Sequence, residues 1–121
     1  MKIALLLGAI FALFAVALGA FGAHALKDKF AEPRYAETWE TAVRYQMYHG
    51  LALLCVGIMD DVFGGMVGLT WATYLLAAGV IVFSGSLYVL SITGIRKLGA
   101  ITPIGGVLLL AGWGCVIAAI L

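Results

Sequence analysis

The stretch Ala36–Met59, AETWETAVRYQMYHGLALLCVGIM, decides how this chain is read. Its first half carries acids, an arginine, a histidine and clustered aromatics, whereas the other apolar segments are nearly free of charge. At 100° per residue on a helix, Glu37, Glu40, Thr41, Arg44 and Tyr48 fall within about 100° of one another, and Cys55 continues the stripe. Tyr45 and His49 lie on its flank, while Trp39, Val43, Gln46 and Gly50 face the other way. The uncharged part, Tyr45–Met59, is 15 residues long, short of the roughly 20 that a spanning helix needs. Arg44, with Glu40 beside it, is therefore expected at or inside the headgroup boundary. An ionisable group at that depth is by default a functional-site hypothesis.

Working outward, composition puts the whole chain in a bilayer. It has 121 residues, 64% of them hydrophobic and 11% charged, with a mean hydropathy of +1.14. Soluble globular proteins carry about 25% charged residues. The length allows one domain. A formal net charge of +1 without any run of Lys or Arg excludes nucleic-acid recognition.

Four segments are expected to span, over about 3–26, 36–59, 66–93 and 98–121, giving an all-α integral membrane protein, a four-helix bundle with short loops. The first has a basic Lys2, an apolar run and Ala23-His24-Ala25, and so imitates a signal peptide. Its apolar run, Ile3–Leu26, is 24 residues long, against roughly 7 to 15 in a signal peptide. Cleavage would also export Lys27, Lys29, Arg34 and Arg44, so the segment is read as a retained helix. Gly8, Ala12, Ala15, Gly19 and Gly22 step by 4, 3, 4 and 3 along it, a close-packing seam that suggests a place at the centre of the bundle. Gly105 and Gly112, followed by Ala119, give the last segment a second such face. There, Thr102-Pro103 reads as a helix start; a helix beginning at Leu98 would instead enclose Pro103. Ser84, Tyr88 and Ser91 share a face of the third segment and are expected to hydrogen-bond across helices. Trp71 and Tyr74 suit an interfacial belt. Cys55 and Cys115 read as buried free thiols.

Loops one and three carry Lys27, Lys29, Arg34, Arg96 and Lys97; the opposite side has Lys2 with Asp60 and Asp61. The positive-inside rule then puts these two loops in the cytoplasm and both termini outside.

Two constellations could carry chemistry. His24 and His49 would come to similar depth if the start of the second helix projected from the bilayer, as bis-histidine haem b ligation requires; otherwise each imidazole bonds a neighbouring carbonyl, Tyr or Glu. Glu37, Glu40, Arg44, Tyr45, Tyr48 and His49 could form a proton relay or a polar pocket. The structural alternative is a salt-bridge set that fixes the second helix against loop one and the first helix. There is no nucleophilic triad, metal-spaced cluster or phosphate-cradling loop.

Residues Gly19–Leu26, Trp39–His49, Phe83–Tyr88 and Ile101–Gly106, GAFGAHAL, WETAVRYQMYH, FSGSLY and ITPIGG, resemble the YgdD/YwdK-like family. These are small bacterial inner-membrane proteins with eukaryotic relatives. The resemblance spans essentially the whole chain and implies four helices and an inner-membrane location. It supplies no activity, so no catalytic residue is carried over. The chain also has the size of the small multidrug transporters, yet Ile3–Ala25 lacks the acid on which those depend. The reading is a non-enzymatic inner-membrane protein, a homo-oligomer or a support for other membrane proteins. A small transporter or channel and a haem- or quinone-linked redox protein are the alternatives.

Overall fold

The computed structural model describes residues 1–121 as four helices and no strand: α1 (Lys2–Ala23), α2 (Tyr35–Val62), α3 (Val67–Thr93) and α4 (Leu98–Ile120). Three of them, α1, α3 and α4, are long and apolar enough to cross a membrane. The fourth, α2, has ample length at 28 residues, but its polar first half and the acids Asp60 and Asp61 interrupt its hydropathy.

The ends of the helices follow from local chemistry. After α2 the chain turns through Gly64 and Gly65, with φ of 78° and 94°. The Asp60 carboxylate accepts the Met66 amide at 2.8 Å and so closes that turn. Gly94 ends α3 in the left-handed region, φ 71°, its amide bonding the Leu90 carbonyl, the usual use of glycine just past a helix end. α4 starts at Leu98, so Pro103 lies inside it. Proline has no amide to give the Gly99 carbonyl one turn back. The neighbouring Thr102 hydroxyl reaches the Leu98 carbonyl at 3.2 Å.

The helices pack in chain order, α1 on α2, α2 on α3 and α3 on α4. The core joins Leu53 and Val56 of α2, Leu69, Ala72, Leu76 and Val80 of α3, and Leu109 and Val116 of α4. From α1, only the half-buried Leu7 and Phe11 touch it. The expectation that α1 stands at the centre is thus corrected: α2 and α3 form the middle, and α1 is an outer helix. Its seam of small residues serves one neighbour. A Cβ on Gly8 would lie 2.6 Å from the Gly50 carbonyl oxygen, and one on Gly50 would lie 3.0 Å from that of Gly8 and 3.1 Å from the Ala12 amide. Gly19 faces Val43, Gly22 lies under the Trp39 indole, and Ala15 is buried. On the other side of the bundle, Gly105 rests on the Phe83 backbone and Gly112 on Leu76. Van der Waals contact drives association in lipid, and residues without side chains are what allow backbones this close.

Candidate functional site

Polar groups fall into two sets on opposite sides of α2. The inner set ties the helices together. Trp39 donates its indole N–H to the Leu18 carbonyl of α1 at 2.9 Å. Gln46 donates to the Phe11 carbonyl at 2.9 Å and accepts from the Tyr88 hydroxyl of α3 at 2.7 Å. Ser84 of α3 donates to the Ala42 carbonyl at 2.7 Å. Ser86 and Thr102 join α3 to α4 at 2.7 Å. The Tyr88 ring meets Trp39 edge-on at 4.7 Å, a favoured aromatic geometry. No buried side-chain nitrogen or oxygen lacks a partner. Ser84 and Tyr88 bond across helices, while Ser91 turns to its own Leu87 carbonyl at 2.7 Å.

His49 belongs to this inner set. Its Nδ1 lies 2.7 Å from the Tyr45 carbonyl, and the Trp113 indole of α4 donates to its Nε2 at 3.1 Å. A carbonyl only accepts and an indole only donates, so the ring is neutral with its proton on Nδ1, and both nitrogens are engaged. His24, by contrast, is exposed just beyond the end of α1. Since Gly50 faces Gly8, the two histidines are about 20 Å apart along the bundle at 1.5 Å per residue. The structure does not bring them together, which corrects the haem expectation on geometric grounds: no iron could take both as axial ligands.

The outer set is the charged stripe. Glu37, Glu40, Arg44, Tyr48, Leu51, Cys55, Ile58 and Val62 are all exposed, one continuous line down α2. Arg44 donates to Glu40 at 2.6 Å, with the two side chains 59% and 58% exposed. This pair stays on α2 and does not tie that helix to loop one or to α1, as the structural reading expected. Cys55 and Cys115 are free, but Cys55 is exposed on the stripe rather than buried. Tyr45 sits at the edge of the stripe, its ring 4.6 Å from Phe83 and stacked on His49 at 6.1 Å.

Two hollows flank α2. A cavity of about 370 Å³ lies between the end of α1 and the start of α2, with Trp39, Glu40, Val43 and Arg44 in its wall. Another, of about 490 Å³, lies between α2 and α4 over Phe83, with Tyr45, His49 and Trp113 in its wall. In the loop before α2, Glu32 accepts a hydrogen bond from Arg34 at 3.1 Å; that bond and the carboxylate charge, with Tyr35 beside them, raise the guanidinium pKa. Ala31 donates its amide to the Ser91 carbonyl at 2.9 Å, which fastens this loop to the end of α3.

Sequence reasoning found the outer stripe because charge marks it. From helical spacing it placed Trp39 and Gln46 on the face turned away from the stripe, and it missed Trp113 altogether. The available signal was the face shared by Trp39, Ala42, Gln46 and Gly50, with small and hydrogen-bonding residues at one-turn spacing.

Comparison with known proteins agrees with this architecture. The chain is 49% identical over 119 residues to the UPF0382 membrane protein YwdK of Bacillus subtilis, covering 98% of this chain and 96% of that protein. It is 50% identical over 113 residues to the UPF0382 membrane protein SH2409 of Staphylococcus haemolyticus, 93% of this chain and 90% of the relative. To the UPF0382 membrane protein SAB0533 of Staphylococcus aureus it is 51% identical, with the same coverage. No solved structure matches the chain. A family model described as "Protein of unknown function (DUF423)" matches residues 18–106, which take in the end of α1, all of α2 and α3 and the start of α4, and the chain belongs to that family of membrane proteins.

Proposed function

We propose that the protein is a non-enzymatic component of the bacterial inner membrane that works by association, through the uncovered face of α2 and with a second copy of itself. The observation that carries this reading is the exposed stripe from Glu37 to Val62, charged at one end and apolar along the rest. The interior supports the non-enzymatic part, since its polar side chains are all spent on bonds within the bundle.

The depth of the charges argues for a partner. Gly105 rests on Phe83, and the Tyr45 ring lies against the same residue. Arg44 is therefore level with Gly105, about 12 Å along α4 from Lys97 at 1.5 Å per residue. α4 is 23 residues long, about 34 Å at that rise, so a hydrocarbon core about 30 Å thick, centred on it, begins near Leu98 and holds the Arg44 backbone about 10 Å inside its edge. Side chains on a helix lean toward its N-terminus, here back toward the loops, where Glu40 holds the guanidinium. Acyl chains satisfy neither group nor the Tyr48 hydroxyl, whereas protein surfaces can. A two-fold axis along the membrane normal would bring one stripe against its copy, the commonest way for a single surface to be self-complementary. With Lys27, Lys29, Arg34, Arg96 and Lys97 in the cytoplasm, the charged end of the stripe belongs to the inner leaflet.

Cys55 tests the pairing without any new residue. Oxidation of membranes containing the protein is expected to give a disulfide dimer that Cys55→Ser abolishes and Cys115→Ser leaves intact. A chain that stays monomeric, or one that cross-links equally well through Cys115, would sink the proposed face.

A further inference from the structure

The hollow between α2 and α4 is a ligand-sized gap in the middle of the span. Its volume of about 490 Å³ falls in the range of small-molecule sites, which often lie between helices and join apolar walls to a few polar groups. Gly106 keeps it open, since a Cβ there would have nothing within 4 Å. Pro103 and Trp113 bound it along α4, about 8 and 22 Å past Leu98 at 1.5 Å per residue. They bracket the midplane of a core about 30 Å thick, so its occupant comes from the hydrocarbon and not from water or the headgroups.

The walls offer more than an acyl chain can use. The Tyr45 ring lies 4.6 Å from Phe83, and the Trp113 ring meets His49 edge-on at 5.9 Å. Both His49 nitrogens and the Trp113 N–H are already engaged. Tyr45 differs: the bundle uses its carbonyl and leaves its hydroxyl without a partner. Inside the hydrocarbon neither water nor lipid tails supply an acceptor for that O–H. The hollow therefore presents flat apolar faces and one free donor.

We infer that this hollow binds a lipid-soluble quinone. A ring carbonyl accepts the hydrogen bond of the Tyr45 hydroxyl, the ring packs among Phe83, His49 and Trp113, and the hydrocarbon tail leaves between α2 and α4 into the bilayer. Aromatic faces and edges attract at such separations. A charged or sugar-bearing ligand would need more polar partners than one phenol, and a saturated chain would leave that phenol unpaired. Tyr45 lies one residue, about 100°, round α2 from Arg44, so the site stands whether or not two copies pair along the stripe.

The test follows the indole N–H signals of the isotope-labelled full-length protein by nuclear magnetic resonance in micelles. Duroquinone is the probe, a quinone with no ring position open to thiols, and durene is the same methylated ring without carbonyls. Duroquinone is expected to shift the Trp113 signal saturably and to leave those of Trp39 and Trp71, which lie outside the hollow, in place. Durene should bind about fivefold more weakly, the effect of one hydrogen bond in an apolar medium. Tyr45→Phe should bring duroquinone down to the level of durene without changing durene itself. Gly106→Leu puts a side chain into the open space and should abolish both shifts while the Trp39 and Trp71 signals report an intact fold. Equal affinity for the two probes, or a Gly106→Leu protein that still responds, would overturn the site. So would all three signals drifting together without saturation, which is the mark of partition into the micelle.

Discussion

At the scale of single residues, Gln46 is the side chain on which most depends, because its two ends serve two other helices. It bonds Phe11 of α1 and Tyr88 of α3 at once. Gln46→Leu leaves the Tyr88 hydroxyl without its acceptor and removes a second bond from the Phe11 carbonyl, and an interhelical bond in a membrane contributes about 1 kcal/mol. The variant is expected to lose roughly that amount in reversible unfolding in mixed micelles. Adding Tyr88→Phe should recover part of the loss, since removing both partners costs less than orphaning one; a double variant as weak as the sum of the singles would show the two residues to be independent. These residues were hard to choose from sequence because both sides of α2 carry polar groups. In water, the charged side would simply face out. In lipid that rule is silent, and an arginine can signal a buried site or an outer margin equally well. The structure resolves this through hydrogen bonds: Gln46 and His49 can satisfy themselves inside, whereas Glu40 and Arg44 satisfy only each other.

At the scale of helices, the all-helical, four-element architecture was legible, because three of the four runs are long and apolar enough to span and leave little alternative. The neighbours of each helix were not. The glycine seam of α1 showed that some backbone comes close, but a seam fits one partner as well as several. It is α2 that meets it, through Gly50, and this moves α1 from the centre to the edge. Pro103 was similarly ambiguous, and α4 encloses it because Leu98–Thr102 already form a turn anchored by the Thr102 hydroxyl. The close contacts make a sharp comparison. Gly8→Val or Gly105→Val drives a side chain into a neighbouring backbone and should cost about 1–3 kcal/mol, as overpacking does. Gly114 has nothing within 4 Å of an added Cβ, so Gly114→Ala should be neutral, or stabilising by up to about 1 kcal/mol through helix propensity. Thermal unfolding in one detergent ranks the three. Equal losses would mean that propensity, not packing, sets the cost.

At the scale of the whole molecule, α2 divides the protein's chemistry. Its inner side holds α1 and α3, and through His49 the indole of α4, while its outer side carries a charged pair and an apolar line with nothing over them. The proposed orientation rests on the five cations at one end of the bundle. An alkaline phosphatase fused after Leu121 is expected to be active and a fluorescent protein at the same place dark; the reverse pattern would invert the assignment and move Glu40 and Arg44 to the outer leaflet. The claim that organises everything else is that the exposed line of α2 meets its own copy. Pulsed electron resonance on spin-labelled Cys55, in a Cys115→Ser background and in lipid vesicles, tests it most directly. The account predicts a narrow, short distance between copies that survives dilution with excess lipid; a signal that fades to the uniform background of separated monomers would contradict it.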